Sequence, residues 1–156
     1  MRKGKRFLSL FLSTVIFMTI APWSSIKTSA SFTGALQFDA NGKFTIMQVA
    51  DLQTNTSVPS RVVAAISNNI NRYHPDLVVF TGDNIYESIS SVSNFQSAVN
   101  SYLAPLLSTN TKFCVTFGNH DSDGSGGSLS SQYAYFASKG GNLFVDHDVT
   151  ALTGDA

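Results

Sequence analysis

Three short polar clusters hold the residue types with chemistry to offer: Asp51-Leu52-Gln53, Gly82-Asp83-Asn84 and Gly118-Asn119-His120-Asp121. Asp51 and Asp83 are hard oxygen donors for metal ions. A carboxylate shared by two such ions holds them about 3.5 to 4 Å apart, a spacing suited to in-line displacement at phosphorus. Asp83 is the better bridge, because Gly82 before it removes side-chain bulk and lets the backbone turn tightly beside a cation. Asn119 adds a neutral amide oxygen toward the second ion. His120 is placed to protonate a leaving oxygen or to steady phosphoryl charge, with Asp121 fixing its tautomer and raising its basicity. The chemistry these types imply is metal-assisted hydrolysis. Taken singly, each cluster reads as an ordinary Asn/Asp-rich turn; the case rests on three of them falling in register.

The register comes from what precedes each cluster. Apolar runs ending at Val49, Leu77 to Thr81 and Phe113 to Phe117 stop just before Asp51, Asp83 and Asn119. Open α/β sheets bind ligands at the carboxyl ends of their strands, so the clusters share one edge if the runs are parallel strands. Between them, Val62, Val63, Ile66 and Ile70 recur at helical spacing after Ser57 and Pro59, and His74-Pro75 ends the pattern. Phe95, Val99, Tyr102, Leu103 and Leu106 form a second amphipathic segment, which Pro105 is expected to end or kink. The order β, α, β, α, β with short apolar strands argues for parallel pairing. Upstream, Asn41-Gly42 between Ala35–Phe38 and Lys43–Val49 suggests a β-hairpin. Downstream, Ser122 to Ser131 is expected to be a loop, either a solvated connection or a cover for the reactive edge. Tyr133, Tyr135 and Phe136 suggest a short helix, and Leu143 to Val145 a further strand. Cys114, inside the third run, reads as a core residue rather than a nucleophile.

The first thirty residues belong to a different class. Arg2, Lys3, Lys5 and Arg6 precede an apolar stretch from Phe7 to Trp23, and small residues follow at Thr28, Ser29 and Ala30. This is the three-part pattern of a secretory signal peptide cleaved after Ala30, the rival reading being an uncleaved anchor at the short limit for a membrane span; cleavage predicts a secreted or cell-surface protein with no stable membrane partner afterwards. Residues 31–156 then form one domain. Cleavage leaves five basic residues against ten acidic ones, a net charge of −5. Such a surface has no basic stripe for a polyphosphate backbone, which excludes nucleic-acid binding by charge neutralisation. A small phosphoester held through metal is compatible with it. The sequence sets no oligomeric state.

The three clusters, in this order and spacing, resemble the first blocks of the calcineurin-like metallophosphoesterase family, whose pattern runs Asp-x-His, Gly-Asp, Gly-Asn-His-Asp/Glu. The likeness spans Gly42 to Asp121, and the wording around Phe44 to Gln53 and Pro75 to Asn84 is nearest the purple-acid-phosphatase-like branch. The resemblance implies an α/β two-sheet sandwich with flanking helices. It also implies two divalent or trivalent ions (manganese, iron or zinc) and cleavage of phosphomonoesters or phosphodiesters by a metal-bound hydroxide. On that pattern Asp51 binds the first ion, Asp83 bridges, Asn119 takes the second, and His120 with Asp121 assists the leaving group.

Two departures temper this. Gln53 stands where the family pattern has a histidine, so that either its amide oxygen replaces an imidazole at the first metal position or it is a spectator, and after His120 the only imidazole is His147, in Asp146-His147-Asp148, which reads as part of a surface hairpin. His74, before Pro75, falls at the opposite edge and reads as structural. With so few ligands, the expectation is the amino-terminal half of a longer enzyme, cut short, with the chain weakly active or inactive. The alternative is a secreted binding or structural protein that keeps the scaffold without turnover.

Overall fold

The computed structural model describes residues 36–146; the segment expected to be a signal peptide and the His147-Asp148 pair lie outside the described residues. Three parallel strands, β1 (Ile46–Val49), β2 (Leu77–Thr81) and β3 (Phe113–Thr116), pair in the order β1-β2-β3. Helix α1 (Ser60–Tyr73) links the first two and α2 (Val92–Ser108) the next two. Helix α3 (Leu129–Gly140) follows the last strand. The α/β class and the parallel pairing expected from the apolar runs are borne out.

Register explains why one face of the sheet is core. Met47 lies beside Val78, which lies beside Phe113, and the row Val49, Phe80, Val115 follows two residues on. Side chains alternate along a strand, so these six share a face. All of them belong to, or pack against, one apolar cluster with Ile66 and Ile70 of α1, Phe95, Val99, Tyr102 and Leu106 of α2 and Phe136 of α3. Aromatic rings tie the layers together: Phe80 meets Tyr102 at 5.5 Å and Phe113 edge-on at 6.2 Å, and Phe95 meets Phe136 edge-on at 6.0 Å. The other face carries Ile46, Gln48, Val79, Thr81, Cys114 and Thr116, with Ile46 58% exposed. Parallel sheets are ordinarily covered on both faces. The described residues form one sheet, and the second sheet of the expected sandwich is not among them.

Four local expectations need correction. Asn41-Gly42 does turn, with Gly42 at φ 72° and the Asp39 carboxylate accepting the N–H groups of Asn41 and Lys43 at 2.8 Å each. Yet no hairpin forms, because β1 takes its sheet partner from β2 and residues 36–38 join no strand. Of the two outcomes expected at Pro105, ending α2 is overturned, because Pro105 lies inside the helix, and its carbonyl accepts the N–H and hydroxyl of Thr109 at the carboxyl cap. The Leu143–Val145 strand is reduced to a single parallel bridge between Phe144 and Phe113, after a 3-10 turn. Cys114 is half-buried on the less covered face, where burial pushes its thiol up. His74 is structural as expected: it caps α1 in the left-handed conformation, donating its N–H to the Ile70 carbonyl. Among the described residues, no helix is long and apolar enough to cross a membrane.

Candidate active site

The strand register continues beyond the strands and brings the polar clusters together. The Asp51 N–H donates to the Gly82 carbonyl at 3.2 Å, and the Gln53 N–H to the Asp83 carbonyl at 2.8 Å. Thr54, buried, then pairs with the next loop: its hydroxyl donates to the Asn84 carbonyl at 2.9 Å, and its own carbonyl accepts from Tyr86. On the other side, the Asp83 Oδ1 accepts the His120 backbone N–H at 3.0 Å. The three tips are thus bonded in sequence, with Asp83 in the middle.

The backbone is bent to achieve this. Asp51 (φ 53°), Gln53 (φ 41°) and Asp83 (φ 51°) all take the left-handed region, which non-glycine residues adopt at a cost of about 1 to 3 kcal/mol each. Gly82, at φ 109°, lets the two loops touch: a Cβ there would fall 2.7 Å from the Gly118 nitrogen. A Cβ on Gly118 would in turn fall 2.2 Å from the Asp83 Oδ1. Both glycines of the sequence clusters are needed for close approach.

Asp121 has a different place from the one the sequence suggested. It is fully buried, and its two oxygens accept the N–H groups of Asn84 (2.8 Å), Ile85 (3.1 Å) and Gly118 (2.8 Å) and the Asn84 side-chain amide (3.3 Å). Burial pushes its carboxyl above the ordinary range, and the backbone donors of Gly118, Ile85, Asn84 and Asp83 pull it back. Since every group aimed at it is an N–H donor, the ionised carboxylate is the form these bonds hold. Asp121 therefore clamps the β2 loop to the β3 loop and does not touch the imidazole.

The imidazole partner is Asp123. His120 Nδ1 and Asp123 Oδ2 stand 2.6 Å apart, with side chains 34% and 41% exposed. Asn119–Ser122 is a 3-10 turn, in which residues three apart eclipse one another, so 120 and 123 share a side while 121 turns inward. Tyr86 packs against the His120 ring at 5.5 Å between centroids. The hydrogen bond to Asp123 raises the His120 pKa above its usual 6.5; partial burial opposes this, and the charges of Asp83, Asp123 and Glu87 reinforce it. A histidine raised on folding adds stability that is complete below the unfolded value and fades as pH climbs through the native one. In the metal-free chain, an NMR titration is expected to put the His120 midpoint above 6.5; a midpoint at or below it would remove the Asp123 interaction from the account.

The Ser122–Ser131 segment is a mostly exposed connection, as one of the two expectations had it, with α3 taking over from Leu129, and it is anchored at several points. Its Ser125 N–H donates to the Ile89 carbonyl at 2.6 Å, Gly126 is buried, and Ser128 already caps α3 by accepting from Ser131. Gln132 reaches back from α3 to donate to the carbonyls of Asp121 and Gly127. Asp123, Tyr86 and Thr54 escaped the sequence reading. The only signal for Asp123 was its distance of three from His120, which points to a partner once the 3-10 turn is known.

Among the described residues, no group of three or more His, Cys, Asp or Glu side chains is arranged to hold a metal ion. The donors that do gather are oxygens on bonded tips. The Asp51, Gln53 and Asn119 side chains are exposed, and Asp83 uses one oxygen for His120. That set fits a hard cation whose remaining positions are water.

A parallel α/β sheet with its oxygen donors, an imidazole and strained backbone at the carboxyl edge is the architecture of a phosphoester-processing fold. The calcineurin-like phosphoesterase profile matches residues 44–154, and the chain belongs to that family. It is 32% identical over 104 residues to the probable inactive purple acid phosphatase 29 of Arabidopsis thaliana, covering 56% of this chain and 26% of that protein. It is 27% identical over 104 residues to the probable inactive purple acid phosphatase 14 of the same plant, with the same coverage. It is 35% identical over 80 residues to the UDP-2,3-diacylglucosamine pyrophosphatase LpxG of Chlamydia muridarum (strain MoPn / Nigg), covering 49% of this chain and 22% of that protein. The chain thus spans about a quarter of the length of these curated relatives. No solved structure gives a significant match. Calcineurin-like phosphoesterases generally use a dinuclear metal site.

Proposed function

We propose that the chain carries the first part of a metal-dependent phosphoesterase site acting on small phosphomonoesters or phosphodiesters. The observation that carries this reading is the bonding of three strand tips through Asp83, with left-handed backbone at Asp51, Gln53 and Asp83. Strain of that kind persists only where the surroundings enforce it, and it gathers at functional edges. Asp51 and Gln53 would hold one ion, Asp83 would be shared, and Asn119 would hold the second. Bound cations would supply charge neutralisation at the phosphoryl oxygens and a more acidic water.

The chain's own residues supply the rest. His120 is the one imidazole at this edge among the described residues, and its ring is the proton donor for the leaving oxygen. Asp121 contributes by keeping the Asn84 and Gly118 loops at fixed separation, so that His120 and Asp83 stay together. An all-oxygen donor set favours a hard ion such as manganese over zinc. The acidic mature surface supports a small substrate rather than nucleic acid, and the pattern over residues 1–30 supports export to the cell surface or beyond.

Hydrolysis of p-nitrophenyl phosphate and its bis ester with added manganese tests the reading. Turnover above that of the metal alone is expected, with a loss of roughly 100-fold in His120→Ala, the lower end for a general acid. Equal rates for the two proteins would overturn the assignment. The same assay decides the second reading, a scaffold without turnover. That alternative is favoured by Gln53, an amide where the family pattern has an imidazole, and by relatives named as probable inactive phosphatases.

A further inference from the structure

We propose that Asp123 is the positioning residue for His120, holding the ring with its proton on Nδ1 and leaving Nε2 as the nitrogen that faces substrate. The inference rests on the phosphoesterase reading for its catalytic consequence, though not for its structural one.

A carboxylate can only accept, so the 2.6 Å contact between Asp123 Oδ2 and His120 Nδ1 requires a proton on Nδ1. Asp121, the neighbour in sequence, has both oxygens spent on the Asn84, Ile85 and Gly118 donors. Asp83 meets the His120 main chain, and its Oδ1 takes that N–H. Glu87 acts on the ring through its charge, not through a hydrogen bond. Asp123 is left as the group that bonds the ring.

The turn builds this pairing in. Asp123 closes the 3-10 turn by donating its own N–H to the His120 carbonyl at 3.1 Å, so main chain and side chain join the same two residues. Tyr86 holds the ring from its face. A ring fixed on one nitrogen and one face has a single nitrogen to offer. Free imidazole in water favours the opposite tautomer, with the proton on Nε2; the Asp123 bond keeps Nδ1 protonated in both charge states, so Nε2 is the nitrogen that, in the charged ring, gives its proton to the leaving oxygen and is left bare afterwards.

Two-bond 1H–15N spectra of histidine rings in the metal-free chain read the tautomer directly, above the pH at which His120 loses its charge. The wild type is expected to show the Nδ1–H form, Asp123→Ala to shift to the Nε2–H form, and Asp123→Glu to recover part of the Nδ1–H population. In the phosphoester assay, Asp123→Ala is expected to lower kcat by about 10- to 100-fold with KM within about twofold, and Asp123→Glu to restore some of it. An Nε2–H ring in the wild type, or an unchanged tautomer in Asp123→Ala, would overturn the proposal. Should the wild type turn over nothing while its ring shows the Nδ1–H form, the phosphoesterase reading falls and the positioning of His120 by Asp123 stands.

Discussion

Asp121→Ala is expected to destabilise the chain by about 3 to 5 kcal/mol, a third or more of the stability of an ordinary small domain. The substitution removes the acceptor for the Asn84, Ile85 and Gly118 N–H groups in a place with no solvent access. Each stranded buried donor costs about 1 to 3 kcal/mol, and the three do not add fully because the loops can relax. Asp121→Asn keeps one acceptor but turns an amide N–H toward a donor, so it should fall between. Urea denaturation at constant slope reads the loss, and hydrogen exchange at Asn84, Ile85 and Gly118 reads its location. A loss under about 1 kcal/mol would show that Asp121 is not the clamp. This outcome also separates a clamp from a catalytic acid, which could be removed with its stability intact.

The second large effect concerns the glycines between the loops. Gly82→Ala places a methyl 2.7 Å from the Gly118 nitrogen, 3.0 Å from its Cα and 3.1 Å from the Phe117 carbonyl carbon, all main-chain atoms, at φ 109°. With no flexible side chain to yield, the expected cost is about 3 kcal/mol or more, combining backbone strain and steric overlap. Gly118→Ala acts differently, because its methyl meets the Asp83 carboxylate at 2.2 Å and the Asp83 nitrogen at 2.8 Å. It should drive that carboxylate out of place and weaken manganese binding at least 10-fold, equal to about 1.4 kcal/mol. Gly42→Ala is the control, since it shares a positive φ (72°) but has open space around it, and about 1 kcal/mol is expected. Equal thermal stability in Gly82→Ala and Gly42→Ala would contradict the close approach of the tips.

The scaffold was legible because its strands are short, apolar and uninterrupted. Leu77 to Thr81 matches β2 to the residue and the run Phe113 to Phe117 overshoots β3 by one, and their parallel pairing followed from the helices between them. The clusters were legible because strand ends of a parallel sheet share an edge. What spacing alone could not give was the direction of each side chain after the strand stops. A 3-10 turn sends His120 and Asp123 one way and Asp121 the other, so the neighbour in sequence is not the neighbour in space. The Asn41-Gly42 turn misled for a related reason. Its local chemistry was right, yet the strand after it gained more from a buried partner in β2 than from the exposed segment before it. Pro105 shows the reverse: a residue that breaks isolated helices was carried by the burial of Leu103, Pro105 itself and Leu106.

Paramagnetic broadening by manganese in the 15N-labelled chain tests the shared cation site most directly, because it reports distance from the ion without requiring turnover. Amide signals of Asp51, Gln53, Asp83, Asn119 and His120 are expected to fade together at substoichiometric manganese, and Asp83→Ala to abolish the effect. Broadening scattered over the acidic surface, or the same pattern in Asp83→Ala, would contradict the meeting of the three strand tips around a common ion.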